Sequence, residues 1–169
     1  GCGANTSYPH YSDSKGVVAE RDIVLLDFGC TYGGLYSDMS RTVFVGEPDE
    51  RKRLCYELVL RANEEAEAMV SEGAYVPDID KKARQILDEK GYAHTLINRL
   101  GHGIGYMVHE APDIKQSNKI KLQRGMAFSI EPGIYLGGDF GIRIEDIMIV
   151  NEEGCGEKLN KATKELIVL

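Results

Sequence analysis

Leu26-Asp27-Phe28-Gly29 and Ser37-Asp38-Met39-Ser40-Arg41-Thr42 place two aspartates eleven residues apart, each beside a strand-like run. Ile23-Val24-Leu25-Leu26 precedes the first and Thr42-Val43-Phe44-Val45 follows the second, with Cys30-Thr31-Tyr32-Gly33-Gly34 between them. The paired glycines predict a hairpin turn. A hairpin sets its strands side by side, so the two carboxylates converge, and converging carboxylates repel unless they share a proton or a cation. Asp27 closes a run of four aliphatics and is expected to lie partly buried, where a carboxylate needs a partner. The plainer reading is two exposed turn acids.

A second stretch repeats the pattern. Displaced by 104 residues, Asp27-Phe28-Gly29 falls on Glu131-Pro132-Gly133 and Tyr32-Gly33-Gly34 on Leu136-Gly137-Gly138, and a second acid follows each time, Asp38 or Glu145. Met126-Ala127-Phe128-Ser129-Ile130 leads into this second hairpin and Gly141 to Val150 returns from it. Alternation along the return strand puts Arg143 and Glu145 on one face. Glu145 sits among isoleucines, where an idle charge is costly. Two similar hairpins, each delivering two carboxylates, suggest a duplicated fold with a site at the junction. The second is preceded by two helices and a long connection, the first by about twenty residues. Equivalent halves would therefore make residues 1–169 one domain, incomplete at its N-terminus.

Between the hairpins the period becomes helical. Leu54, Leu58, Ala62, Ala66 and Met69 recur at helical spacing from Pro48 to about Glu72, with Arg, Glu and Asn on the outer face and Gly73 as the stop. A second helix from about Asp78 to Lys90 turns Ile79, Ala83, Ile86 and Leu87 inward and ends at Gly91. Their charged faces read as solvated surface. Residues 1–20 read as irregular chain with a short edge strand, and the last nineteen as a surface-packed tail with an apolar end. Gly101-His102-Gly103-Ile104-Gly105 is too glycine-rich for a regular helix and lets the backbone approach a neighbour closely. Taken singly, His10, His102 and His109 are ordinary core or surface histidines.

Composition excludes several classes. A net charge of -7 leaves no basic stripe to meet phosphates, so nucleic acid is not an expected partner. No apolar run reaches membrane-spanning length, and a membrane role is not expected. Cys2, Cys30, Cys55 and Cys155 are scattered without C-x-x-C spacing, which fits reduced thiols in a cytoplasmic protein.

Together Asp27, Asp38, His102, Glu131 and Glu145 offer four carboxylates and one imidazole. Oxygen-rich ligation with a single nitrogen suits Mn²⁺ best, with Co²⁺, Fe²⁺ or Zn²⁺ as further fits. Four acids are too many for one divalent ion, so two ions are expected, and two-metal sites activate water for hydrolysis. A single Ca²⁺ or Mg²⁺ site is the simpler alternative.

Pro9-His10-Tyr11, Leu26-Asp27-Phe28-Gly29, Ser37-Asp38-Met39-Ser40-Arg41-Thr42, Gly101-His102-Gly103-Ile104-Gly105, Val108-His109-Glu110, Ser129-Ile130-Glu131-Pro132-Gly133 and Gly141-Ile142-Arg143-Ile144-Glu145-Asp146 follow one another in an order that resembles the pita-bread metallopeptidases. These include aminopeptidase P, Xaa-Pro dipeptidase (prolidase) and methionine aminopeptidase. The resemblance implies an α+β pita-bread fold, a pseudo-twofold repeat with a curved antiparallel sheet and outer helices. It also implies that Asp27 chelates one metal, that Asp38 and Glu145 bridge both, and that His102 and Glu131 complete the second. Glu131 would handle the proton of the bridging water, His109 would steady the substrate carbonyl, and His10 would line the pocket near the scissile bond. Arg143 would fix the carboxylates or bind substrate, and Tyr135 would contact substrate. Pro-His-Tyr and Arg-Ile-Glu resemble the proline-specific branch, which cleaves between an N-terminal residue and a following proline. The implied partners are such a peptide, a second copy in a homodimer, and a missing N-terminal segment or domain. Asn98 stands where many relatives carry a histidine, which implies altered pocket contacts. A non-catalytic binding module of the same fold and a methionine aminopeptidase-like enzyme are the alternatives. Metal-independent creatinase fits less well, because all five ligands are present.

Overall fold

A computed structural model describes residues 1–13, 15–97 and 99–169; Asn98, and the expectation attached to it, lies outside the described residues. The first hairpin forms in two tiers. β1 (Ile23–Phe28) leads to a small inner ladder of β2 (Thr31–Tyr32) and β3 (Leu35–Tyr36), and β4 (Met39–Phe44) returns antiparallel to β1. Gly33 and Gly34 both take positive φ at the tip, as a tight primed turn requires. In this register Asp27 faces Ser40, so Asp38 lies diagonally across from it. Diagonal neighbours on a sheet still interact.

Residues Gly3–Ser7 form a short 3-10 helix where an edge strand was expected, with a bridge from Cys2 to Val24. The Thr6 and Ser7 hydroxyls donate to the carbonyls of Gly3 and Ala4, and such local bonds favour a turn over a strand.

α1 (Glu50–Glu67) starts at an Asp49 cap whose carboxylate accepts from the Lys52 N–H. It ends at Glu67, short of the expected Glu72, because the following residues find partners elsewhere. Ser71 pairs with Cys155, and the N–H groups of Glu72 and Gly73 donate to Gly154 and Leu122. Asn63 was expected on the outer face and is instead fully buried, its amide donating to the carbonyls of Ile130 and Ile144. α2 (Val76–Asp88) buries Ile79, Ala83, Ile86 and Leu87 as the spacing predicts.

β5 (Gly101–Gly103) and β6 (Glu110–Ile114) join β7 (Ala127–Ile130) in one sheet. β8 (Gly133–Leu136) and β9 (Phe140–Arg143) form an inner ladder, and β10 (Asp146–Val150) returns against β7. The second hairpin therefore repeats the two-tiered plan of the first. β11 (Gly156–Lys158) completes a sheet ordered β11-β10-β7-β5-β6. An antiparallel bridge between Ser40 and Glu145 joins the two hairpins, with the Glu145 N–H donating to the Ser40 carbonyl at 3.1 Å. Ile130, Ile134, Ile142 and Ile144 around this junction are fully buried in the core shared with α1.

The C-terminal segment is more than a surface tail. β12 (Ile167–Val168) pairs in parallel with β4, and Lys164 is buried. Its ammonium meets both Glu67 carboxylate oxygens at 2.7 Å and lies 3.0 Å from Asp146 Oδ2, which accepts no directed hydrogen bond. Buried acids need a cation, and this segment supplies it. Among the described residues, no helix is long and apolar enough to cross a membrane.

The glycines of β5 carry the close approach expected of them, since a Cβ on Gly101 would collide with the Ser129 carbonyl and one on Gly103 with that of Ala111. Both contacts are with backbone, which cannot rotate aside. Gly101→Ala is expected to lower stability by about 1–3 kcal/mol, read as an earlier urea midpoint with unchanged slope. An unaltered midpoint would mean that β5 and β7 are not packed this tightly.

Candidate metal centre

A cavity of about 810 Å³ opens where the hairpins meet, and all nine side chains singled out above line it: His10, Asp27, Asp38, His102, His109, Glu131, Tyr135, Arg143 and Glu145. Sequence distance is erased by the fold. Asp38 enters just before β4, His102 from the centre of β5, Glu131 at the end of β7, and Glu145 between β9 and β10.

His102 organises the group. Its Nδ1 lies 3.1 Å from the Gly103 carbonyl, and a carbonyl only accepts, so Nδ1 carries the proton. Burial lowers the pKa of His102, which keeps the ring neutral and leaves a lone pair on Nε2. That nitrogen lies 3.3 Å from Glu131 Oε1, 3.8 Å from Asp38 Oδ2 and 3.9 Å from Glu145 Oε1. Asp38, His102 and Glu145 each offer an atom within 4.8 Å of the others. A lone pair facing three carboxylates is repulsive unless protons or cations lie between them, so the donor set fits divalent metal.

The acids show the same crowding. Burial, then Asp27, raises the pKa of Asp38. Burial also raises Glu131, against the pull of Arg143, and drives Glu145 well up, with Glu131 and Asp38 adding to it. Two hydroxyls set the carboxylates in place. Ser40 donates to Glu145 Oε2 at 2.6 Å, and Ser129 donates to Glu131 Oε1 at 3.0 Å while accepting from the His102 N–H. Neither serine was singled out beforehand. Each lies two residues from a site acid that flanks its strand, a spacing that the period of two picks out.

Asp27 departs from expectation. Its side chain is 41% exposed, because β1 leaves the core at Leu26, which is itself 43% exposed. The expected partner exists nevertheless: Arg143, 2% exposed, holds Asp27 in a short hydrogen-bonded ion pair. The same guanidinium donates to Ser40 Oγ, the Pro9 carbonyl and the Tyr135 hydroxyl. Burial alone would lower the Arg143 pKa, but Tyr135, Glu145 and Asp27 outweigh it and keep the charge in place. Burial pushes the Tyr135 hydroxyl up to about 12. His109 is exposed in the cavity wall, its ring edge-on to that of His102 at 4.3 Å. His10 is exposed at the cavity rim.

Metallopeptidase family M24 matches residues 1–152. Among curated proteins, the chain is 44% identical to a "Probable dipeptidase PepE" of Mycobacterium bovis over 170 aligned residues, covering 100% of this chain and 45% of that protein. It is 41% identical to an Xaa-Pro dipeptidase of Lactobacillus delbrueckii subsp. lactis, covering 99% and 45%. A crystal structure of recombinant prolidase from Thermococcus sibiricus superposes with a TM-score of 0.96 at 43% identity, covering 99% of this chain and 46% of that one. The likeness bears out the α+β pita-bread fold. The chain spans about 45% of the length of these curated relatives.

The raised acids have a consequence for stability. Without metal, the folded state holds protons that the unfolded chain releases above about pH 4. The acids' contribution to stability is therefore complete below that point and is lost as pH rises through their folded-state values. A divalent cation binds the ionised form, so its stabilisation must grow with pH. Mn²⁺ is expected to raise the Tm of the intact protein more at pH 8 than at pH 5.5, and Tm shifts of equal size at both would count against this centre.

Proposed function

The chain belongs to metallopeptidase family M24, and from that membership we propose that it is the catalytic domain of a metal-dependent peptidase cleaving between an N-terminal residue and proline. The observation that carries this reading is the neutral His102 Nε2 facing Asp38, Glu131 and Glu145 within 4 Å. The relatives named Xaa-Pro dipeptidase and prolidase favour a dipeptide substrate.

In this reading Asp27, Asp38, His102, Glu131 and Glu145 hold two divalent ions, most readily Mn²⁺. When bound, the ions supply Lewis acidity to the scissile carbonyl and acidify a water. The chain's own groups do the rest. Glu131 takes the proton of the attacking water, its carboxylate standing 3.3 Å from His102 Nε2 at the cavity wall. His109 donates to the oxygen that gains charge as the carbonyl becomes tetrahedral. His10 and Tyr135 border the substrate in the cavity. Arg143 engages four of its five N–H groups with protein oxygens, so it holds Asp27 and Ser40 and is left little to offer a substrate. A cytoplasmic setting, consistent with four free thiols, and a homodimer complete the proposal.

The intact protein loaded with Mn²⁺ is expected to release the first residue from an Xaa-Pro dipeptide. His109→Ala should lower kcat by about 10²–10³-fold while leaving metal content unchanged. A fully metal-loaded protein that turns over no Xaa-Pro substrate would point to a binding module. Preference for a methionine peptide without proline would move it to the other branch.

A further inference from the structure

Behind the cavity lies a second group of buried polar side chains, and Asn63 is its centre. From the inner face of α1, its Nδ2 donates to the carbonyls of Ile130 at 2.9 Å and Ile144 at 3.4 Å. Those residues immediately precede Glu131 and Glu145. One amide group therefore ties together the two peptide links from which the glutamates project, one in each arm of the second hairpin. The other end of the amide is just as constrained. Asn63 Oδ1 accepts from Lys164 Nζ, and the same ammonium is paired with Glu67 and Asp146. Only one amide orientation satisfies all of these partners, because Lys164 can only donate and the two carbonyls can only accept.

The group does not call for a ligand of its own. Lys164 and Arg41 bring two positive charges to Asp146 and Glu67, and Arg41 donates to Asp146 Oδ1 at 2.7 Å. Nor do Asn63 and Lys164 line the cavity. Arg41 strengthens the link to the front, since its Nη1 donates to the carbonyls of Glu145 and Ser40, the two residues that bridge the hairpins.

We propose that Asn63 is a positioning residue of the metal centre: by holding the Ile130 and Ile144 carbonyls on one amide it fixes the separation of Glu131 and Glu145, and Lys164 fixes the amide. This rests on the assignment of those glutamates as metal ligands. Groups that orient ligands from behind are worth about 10–100-fold in metal affinity or activity.

The test uses the intact protein and Co²⁺, whose visible absorption reports ligand geometry. Asn63→Leu keeps the side chain's approximate size and removes both donors; Val59→Ala opens a cavity one turn away on the same buried face of α1 and leaves the hydrogen-bonding groups of the cluster in place. Asn63→Leu should weaken binding of one Co²⁺ by about 10–100-fold, alter the visible bands of the remaining ion, and lower kcat more than it changes KM. Val59→Ala should lower Tm yet keep native affinities and bands. Asn63→Ser, which retains one donor, should fall between them and carries the test if the leucine variant does not fold. Native Co²⁺ affinity and spectrum in either Asn63 variant, with only Tm reduced, would overturn the proposal. If the unaltered protein bound no Co²⁺, the metal assignment itself would fail, and the positioning role with it.

Discussion

Mutual repulsion among carboxylates at the meeting point of two hairpins is the constraint on which this structure turns. Asp38, Glu131 and Glu145 crowd around His102, and burial raises the pKa of each acid. In a low-dielectric site such crowding costs more than the acids alone can offset. The fold answers it with Arg143, whose buried guanidinium reaches Asp27 and Ser40 on the first hairpin from β9 on the second. The cation that relieves the repulsion is therefore also the tie between the halves.

The hairpins deliver opposing charges to one point because each is built in two tiers. A small inner ladder turns at a glycine tip while the outer strands run on into the core, and the acids sit at or beside the steps between tiers: Asp38, Glu131 and Glu145 between strands and Asp27 one residue before the end of β1. The bridge from Ser40 to Glu145 then joins step to step. Ser40 does two things there: its backbone carbonyl accepts from Glu145, and its hydroxyl donates to the Glu145 carboxylate at 2.6 Å. A residue with no titratable group thus sets the position of a buried acid.

Much of this was legible in the chain itself, for a definite reason. Hairpins are local, and glycine pairs, alternation and acids at turn edges are local signals. The shift of 104 residues that superposes Asp27 on Glu131 survives as two matching hairpins. What escaped was long-range and polar. Asn63 looks like any outward polar residue on a helix, because nothing in a 3.6-residue period reveals that two carbonyls from elsewhere will need a donor. Lys164 reads as a tail lysine until Glu67 and Asp146 are seen to be buried. Asp27, expected to lie partly buried after a run of aliphatics, keeps 41% of its side chain exposed because β1 leaves the core one residue before it.

The division of charge between front and back explains why only one of the two buried groups invites metal. At the back, Arg41 and Lys164 match Asp146 and Glu67, and the group is complete. At the front, the cavity is lined by five carboxylates (Asp27, Asp38, Asp113, Glu131 and Glu145) against three cations (Arg99, Lys115 and Arg143) and a neutral His102, an excess of two negative charges when all the acids are ionised. One divalent ion would only balance that excess. Two would leave the cavity positive, which favours the negative charge that develops on a carbonyl oxygen under attack. Under the proposed assignment, the excess of acids at the front therefore bears on the chemistry as well as on the binding.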